Sequence, residues 1–284
     1  MIVSGPPPIS WGDYSGAIIR QWHDILSSED ASDERILQGF LEENPCLLPG
    51  PFGWPESGHY PFPAALISQP PLSGLGTKIP DFMWLATNSG YLHPVLIEIE
   101  TPTKRWFTAR GGQHSDLTRA LDQLAEWKTW FNNGANQRLF LEYYQVPSTL
   151  HRSRTFHPFY VLIHGSRAEF EDRPELASKR AQFARDDEYH MTFDRLTPNP
   201  KAQDLICVKK TNHHYYSALA VPPTFILGPA LAEYHLNIRD LDGAIKKGRW
   251  ITEERKDFLI SRLPYWAEYA RGGSKGIIHT GDWE

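Results

Sequence analysis

The chain contains little that would stabilise it through covalent or metal cross-links. Of its 284 residues only Cys46 and Cys207 are cysteines, too few for a disulfide framework or a cysteine-rich zinc site. No apolar stretch approaches the roughly 20 residues of a membrane helix. The opening MIVSGPPPIS lacks the basic start and apolar run of a secretory signal. We therefore expect a cytoplasmic protein with no membrane partner.

The chain also lacks an excess of positive charge. Its formal net charge is −5, which does not indicate general nucleic-acid binding, because phosphate groups are neutralised by Lys and Arg. Lys104, Arg105 and Arg110 nevertheless form a local basic cluster that could meet phosphates. The alternative is that these side chains are ordinary solvated surface.

Alternation of helical and extended patterns indicates an α/β fold. Apolar periodicity predicts helices over residues 13–30 and from Ser32 to just before Pro45, where a helix must end. Extended segments follow at 64–68, 81–87 and 91–100, the last two joined by a hairpin turn. Next come a helix over 115–131, a strand over 157–165, a helix over 173–187 and a strand over 188–196.

Two details of the central helix follow from capping rules. Ser115 is the predicted N-cap, and Gly134 is the predicted end. Beyond residue 200, the stretches LICVKK, SALAV and PTFILG are strand-like, and residues 254–273 have a helical pattern that contains Pro264. We expect this segment to pack on the core or to form an oligomer contact.

The stretch PVLIEIETPTK carries two carboxylates in an otherwise apolar strand. Alternate side chains of a strand share a face, so Leu96, Glu98 and Glu100 point one way and Val95, Ile97 and Ile99 the other. Neighbouring buried carboxylates repel each other and lose hydration, and a divalent cation would remove both penalties. Asp81 begins the preceding strand, so it can converge with Glu98. The alternative is that both glutamates lie on a solvated strand face.

Together with their sequence context, these carboxylates resemble the PD-(D/E)xK nuclease superfamily. Pro80-Asp81 followed by Glu98-Ile99-Glu100 is similar to its signature. The segments FLEENPCLL, KIPDFMWLA, VLIEIETPTK, ALDQLAEW and TFDRL, in that order, resemble the nuclease domain of the Shedu anti-phage defence family over residues 32–200. The resemblance implies a restriction-endonuclease-like α/β core, a mixed sheet flanked by helices, with N-terminal helices and a C-terminal α+β segment.

The resemblance also assigns roles to single residues. Asp81 and Glu98 match the metal-binding positions for Mg²⁺, with Mn²⁺ as the alternative ion. Glu100 occupies the position of the usual lysine, where it adds a third negative charge and is a candidate third ligand, direct or through water. Lys104 is then the candidate for the missing cation. Gln123 and Trp127 resemble the Gln-x-x-x-Tyr helix of RecB-like nucleases and share a helix face; a hydrogen bond at the core edge is the alternative for Gln123.

Further residues are candidates for contacts with the substrate. Arg105, Arg110 and Arg167 are candidates for phosphate contacts, and His114 is a candidate for a substrate contact. The alternatives are capping or surface solvation for His114 and a salt bridge for Arg167. We expect a metal-dependent endonuclease that acts on DNA, or on RNA, and forms a homo-oligomer. An inactive nuclease fold that serves as a nucleic-acid-binding protein, sensor or scaffold is the alternative. The expected organisation is a helical lead over 1–31, a core over 32–200 and a C-terminal segment over 201–284.

Overall fold

A computed structural model of the protein describes residues 3–55, 57–72, 79–171, 173–211, 214–272 and 284. Lys78, at the start of one Shedu-like segment, lies outside the described residues. Residues 273–283, which belong to the predicted C-terminal segment, also lie outside them. None of the described helices combines the length and the apolar character that a membrane span requires.

Within the described residues, nine strands form one mixed sheet, which confirms the predicted α/β class. The strands are β1 Phe62–Ser68, β2 Phe82–Thr87, β3 Tyr91–Ile99, β4 Thr155–Phe156, β5 Phe159–Ile163, β6 Glu188–Met191, β7 Ile206–Lys210, β8 Tyr216–Ala220 and β9 Ile238–Arg239. Their order is β6-β5-β3-β2-β1-β7-β8-β9, and β4 pairs with the start of β3. The hairpin β2–β3 is antiparallel, whereas β3, β5 and β6 run parallel.

Helices flank the sheet and connect its strands. They are α1 Trp11–Leu26, α2 Glu34–Glu43, α3 Ser115–Phe131, α4 Gly134–Tyr143, α5 Ser148–His151, α6 Pro174–Ala181, α7 Pro229–Ala232, α8 Leu241–Lys247 and α9 Glu253–Arg271. The first two helices begin at side chains that accept a backbone N–H, Ser10 from Asp13 and Asp33 from Arg35.

The central strands are buried on both faces, and each face contributes to a separate core. Leu96 of β3 packs in the core that also contains Leu124 and Trp127 of α3. Ile97, the next residue, packs on the opposite face, in the core that contains Trp22 of α1 and Leu41 of α2. The strand alternation predicted for β3 is therefore present, and Glu98 lies on the α3 face.

Several sequence predictions about element ends are wrong. His114, and not Ser115, is the N-cap of α3, because its side chain accepts the Asp116 N–H. Gly134 does not end α3; it begins α4 after an Asn133 cap. Ser32 lies in a 3₁₀ turn, and Asp33 caps α2 in its place.

The predicted strand PTFILG is also wrong. Residues 223–228 form a turn and irregular backbone, with the Phe225 N–H bonded to the Pro222 carbonyl. A proline cannot donate to a strand ladder, so the Pro222-Pro223 pair disfavours pairing here. The apolar side chains Phe225 and Leu227 are nevertheless buried.

The C-terminal elements continue the same sheet and core. Strand β7 pairs in parallel with β1, with Ala65 level with Ile206. Leu259 and Trp266 of α9 belong to the core that contains Leu96. The boundary at residue 200 remains a prediction, but the described residues beyond it contribute strands to the sheet that carries Glu98.

Candidate active site

Asp81 and Glu98 lie side by side at one end of the β2–β3 hairpin. Phe82 pairs with Ile97 in the antiparallel register, so Asp81, one residue before β2, is level with Glu98. The next pair on their face, Met83 and Leu96, belongs to the core that α3 covers. The two carboxyl groups are close enough for the charge of Asp81 to raise the pKa of Glu98. Asp81 Oδ2 also accepts the Ile99 N–H at 2.8 Å, which fixes that carboxylate against β3.

The two carboxyl groups resist ionisation. Burial raises the pKa of Glu98 well above its ordinary value, and the negative charge of Asp81 raises it further. Burial is also the largest cause of the raised pKa of Asp81. Glu98 is only 7% exposed, and its Oε2 atom has no hydrogen-bond partner. A buried carboxylate oxygen without a donor is unfavourable unless a cation binds it.

Glu100 and Lys104 form an ion pair where β3 ends. The Glu100 N–H donates to the Ile163 carbonyl at 2.9 Å, so the backbone is still held by β5 at this point. Pro102 follows, and the Lys104 N–H closes a turn on the Thr101 carbonyl at 3.2 Å. The turn brings Lys104 Nζ back onto Glu100 Oε2. The cation thus lies at the carboxylate cluster, although it is four residues from Glu100 in sequence.

Glu34 is a fourth carboxylate that the sequence analysis missed. It is the first residue of α2, where an acidic side chain is accounted for by the helix dipole alone. Burial raises its pKa; the charge of Lys104 opposes that rise, and the charge of Glu100 adds to it. Its charge also acts on Asp81 and Glu98. Only the packing of α2 on the sheet reveals this proximity.

The cluster suits a hard divalent cation. Among the described residues, no three His, Cys, Asp or Glu side chains converge as a ready-made metal site. Mg²⁺, however, commonly binds through one or two protein carboxylates and retains several waters. Asp81 and Glu98 supply such oxygen ligands, and the unpartnered Oε2 of Glu98 has a lone pair to give. Carboxylates equally suit Mn²⁺.

The other predicted residues lie around the cluster or away from it. Gln123 is partly buried on α3 and makes no side-chain hydrogen bond within the described part of the chain. His114 caps α3, with its Nδ1 3.0 Å from the Asp116 carboxylate. Arg167 is exposed, and its backbone N–H donates to Asp194 at 2.6 Å. The capping alternative for His114 accounts for the contacts of its ring.

Several cationic side chains lie on the loop between β3 and α3 or contact it. Arg105 and Arg110 are exposed on this loop, which is compatible with either phosphate contact or an ordinary solvated surface. Helix α6 and the residue before it add two cations that the analysis missed. Arg173 Nη1 donates to the Ala109 carbonyl at 3.3 Å, and Lys179 Nζ donates to the Gly111 carbonyl at 2.7 Å.

Comparison with known proteins adds an independent observation. A family model described as "Shedu protein SduA, C-terminal" matches residues 31–197, which is more than half of the 284 residues. The matched segment begins just before α2 and ends after β6, so it contains Glu34, Asp81, Glu98 and Lys104. No curated protein matches the chain.

Proposed function

Because the chain belongs to the Shedu protein SduA family, we propose that it is a metal-dependent nuclease that hydrolyses phosphodiester bonds of DNA. Membership of this family indicates a role in anti-phage defence. The observation that carries the nuclease proposal is the partly buried Asp81–Glu98 carboxyl pair, with its orphaned Glu98 oxygen. Two neighbouring buried carboxyl groups are unfavourable without a cation, and together they can bind a divalent cation.

Asp81 and Glu98 would hold Mg²⁺, or Mn²⁺, and Glu100 would contribute a third acidic group. When bound, the ion neutralises phosphate charge and lowers the pKa of a water molecule, so that hydroxide is available near neutrality. The chain's own contribution is to orient the ligands. The Ile99 N–H holds one oxygen of Asp81 and leaves the other for the ion.

Lys104 would supply the positive charge that the superfamily usually takes from the position of Glu100. In the structure its ammonium forms an ion pair with Glu100. A phosphate bound at the site would compete with Glu100 for this ammonium, and Glu100 would then be available as an acidic group for the ion. Exchange of partners within the site would place Lys104 beside the developing charge of the phosphate.

The surface around the site supports DNA as the substrate, with RNA as the alternative. Arg105 and Arg110 are exposed on the loop that follows Lys104, and Arg173 donates to the Ala109 carbonyl of that loop. With a net charge of −5, the chain would attract a polyanion only through such a local surface, so binding should weaken steeply with salt. Self-association of the chain, implied by the family resemblance, is part of this proposal.

One observation favours a second function. Lys104 is paired with Glu100, so a neighbouring carboxylate neutralises the positive charge that the superfamily directs at the phosphate. The same fold would then bind nucleic acid, or act as a sensor or scaffold, without cleaving it.

A nicking assay separates the two functions. Supercoiled plasmid and phage DNA are incubated with the purified protein over a range of Mg²⁺ and Mn²⁺ concentrations. We expect cleavage by the wild type, none by Asp81→Asn, and unchanged cleavage by Asp122→Asn, a matched change at an exposed position of α3. Salt-sensitive DNA binding without cleavage by the wild type would support the binding-only function. Absence of both would refute a nucleic-acid role.

A further inference from the structure

The turn that carries Lys104 rests on the segment that follows β5. Gly165 adopts a left-handed backbone with φ of +65°, and its N–H donates to the Thr101 carbonyl at 3.2 Å. A Cβ atom at this glycine would lie 2.8 Å from the Lys104 carbonyl and 2.9 Å from Trp106 Nε1. Only glycine allows the two backbones to approach this closely.

His164 fixes the same turn from its other side. Its side chain is fully buried, and burial lowers its pKa. Because Nε2 lies 3.1 Å from the Arg105 carbonyl, an acceptor, Nε2 carries the proton and donates. The backbone carbonyl of His164 accepts the indole N–H of Trp106 at 2.8 Å.

Glu169 completes this arrangement with both oxygens of its carboxylate. Oε2 accepts the backbone N–H of Trp106, and Oε1 accepts that of Phe107, each at 2.9 Å. Both aromatic residues are buried, 0% and 2% exposed, so water does not replace these bonds. One side chain thus fixes two consecutive peptide groups just after Lys104.

We infer that Glu169 is a positioning residue that holds the Lys104 turn against the carboxylate cluster; this inference rests on the proposed nuclease function. Lys104 reaches Glu100 through a long side chain. The position of the Lys104 backbone therefore sets which positions the ammonium can reach. A second role for Glu169, which is to satisfy two buried N–H groups, is purely structural. If Glu169 positions Lys104, the effect of its substitution on nicking requires Lys104. If its role is purely structural, the effect does not require Lys104.

The test uses Glu169→Gln in the full-length protein. The glutamine has the same shape, but its NH₂ group faces one of the two N–H donors and cannot accept from it. We expect nicking to slow by about 10- to 100-fold, the range seen for groups that support a first ligand shell. DNA affinity should not change, and Glu169→Gln combined with Lys104→Ala should nick no more slowly than Lys104→Ala alone.

Two further variants keep the test decisive. Glu171→Gln, at an exposed neighbouring position, is the matched control and should leave nicking unchanged. Gly165→Ala displaces the Lys104 carbonyl without touching Glu169, and it should reproduce the loss of nicking and the dependence on Lys104. Independent, additive effects of Glu169→Gln and Lys104→Ala would overturn the positioning role.

Hydrogen exchange distinguishes this inference from the proposed function. The peptide that contains residues 104–108 should exchange its amide hydrogens faster in Glu169→Gln than in the wild type, whether or not the wild type cleaves DNA. A wild type without nicking would refute the nuclease proposal. Unchanged exchange in this peptide would refute the holding role of Glu169 by itself.

Discussion

Glu98 on β3 lies directly across from Asp81, the residue before β2, so their carboxyl groups share one face of the sheet. Both groups face the core that α3 covers, because Met83 and Leu96, the next residues on their face, pack in it. The arrangement opposes folding in the absence of a cation, because burial and mutual repulsion disfavour ionisation of the two carboxyl groups. Proteins commonly tolerate such local cost where a function needs it.

Replacement of one of these carboxyl groups by an amide should stabilise the protein when no divalent cation is bound. Glu98→Gln keeps the side-chain shape and eliminates the repulsion with Asp81. We expect its melting temperature in EDTA to rise by a few degrees, as calorimetry would measure. Added Mg²⁺ should raise the melting temperature of the wild type and not that of Glu98→Gln. A lower melting temperature for Glu98→Gln in EDTA would contradict the repulsion.

The stability of the protein without a divalent cation should depend on pH through the same carboxyl pair. Burial raises the pKa of Asp81 from 3.8 to about 7. Because the folded state holds its proton more tightly than the unfolded state, this contribution to stability is fully present below pH 3.8 and is lost as pH rises to about 7. The stability of Asp81→Asn should lack this decline. Urea titrations between pH 3.8 and about 7, with and without Mg²⁺, measure the free energy of unfolding of the two proteins. An equal dependence of this free energy on pH in the wild type and in Asp81→Asn would contradict the prediction.

Glu188, the first residue of β6, should make the stability of the protein depend on pH in the opposite direction. Burial alone would raise its pKa, but His190 and Lys128 outweigh that effect and lower the pKa from 4.5 to about 2. Its Oε1 accepts from Lys128 Nζ at 2.7 Å. This stabilisation is present above about pH 4.5 and is lost as pH falls towards 2.

Glu188→Gln should therefore lower the free energy of unfolding at pH 7 by about 1.5–3 kcal/mol, the range for hydrogen bonds to charged groups. The deficit should shrink below about pH 4.5. Asp186→Asn, an exposed neighbour, is the matched control and should change stability little. A deficit that stays constant down to pH 2 would argue against the ionised pair.

The sequence predicted the hairpin and its carboxylates because their signals are local. Period-two alternation places Glu98 on one face of β3, and the connection after Thr87 fixes the register that brings Asp81 level with it. Helix α3 was predicted over its full length from apolar spacing. Its cap was missed because His114 accepts an N–H through a ring nitrogen, whereas Ser, Thr, Asp and Asn are the usual N-cap residues.

The rest of the site depends on tertiary packing and has no local signal. Glu34 reaches the cluster only because α2 packs on the sheet, and Glu169 reaches the Lys104 turn from a 3₁₀ turn more than 60 residues away. The strand predicted over 223–228 failed for a related reason: apolar side chains indicate burial, but not the element in which they are buried. Phe225 and Leu227 are buried without a strand.

Glu34 should contribute to the affinity for the cation without binding it directly. Its charge acts on Asp81 and Glu98, so Glu34→Gln should weaken Mg²⁺ binding by about 1 kcal/mol, or about fivefold. The maximal nicking rate should change little. Glu29→Gln, at an exposed position before α2, is the control. Isothermal titration with Mg²⁺ measures the affinity, and a complete loss of binding would make Glu34 a direct ligand.

Substitutions of Lys104 and Glu100 should affect nicking in different ways, because the proposal assigns the phosphate to Lys104 and the cation to Glu100. If Lys104 serves the phosphate, Lys104→Ala should lower the nicking rate by about 10²–10³-fold, as does the loss of one preorganised donor elsewhere. Its stability should change by less than about 1 kcal/mol, since the ion pair is partly exposed. Lys201→Ala, at an exposed position distant in sequence, should behave like the wild type.

Glu100→Gln should have a different effect. The substitution removes negative charge next to Asp81 and Glu98, so half-maximal nicking should require more Mg²⁺. It also releases Lys104 from its ion pair, so the rate at saturating Mg²⁺ should fall much less than in Lys104→Ala. A Mg²⁺ titration of nicking by both variants measures the two effects together. A rate for Lys104→Ala equal to that of the wild type would remove the lysine from the chemistry. A large loss of rate in Glu100→Gln at saturating Mg²⁺ would instead make Glu100 a ligand that the cation cannot do without.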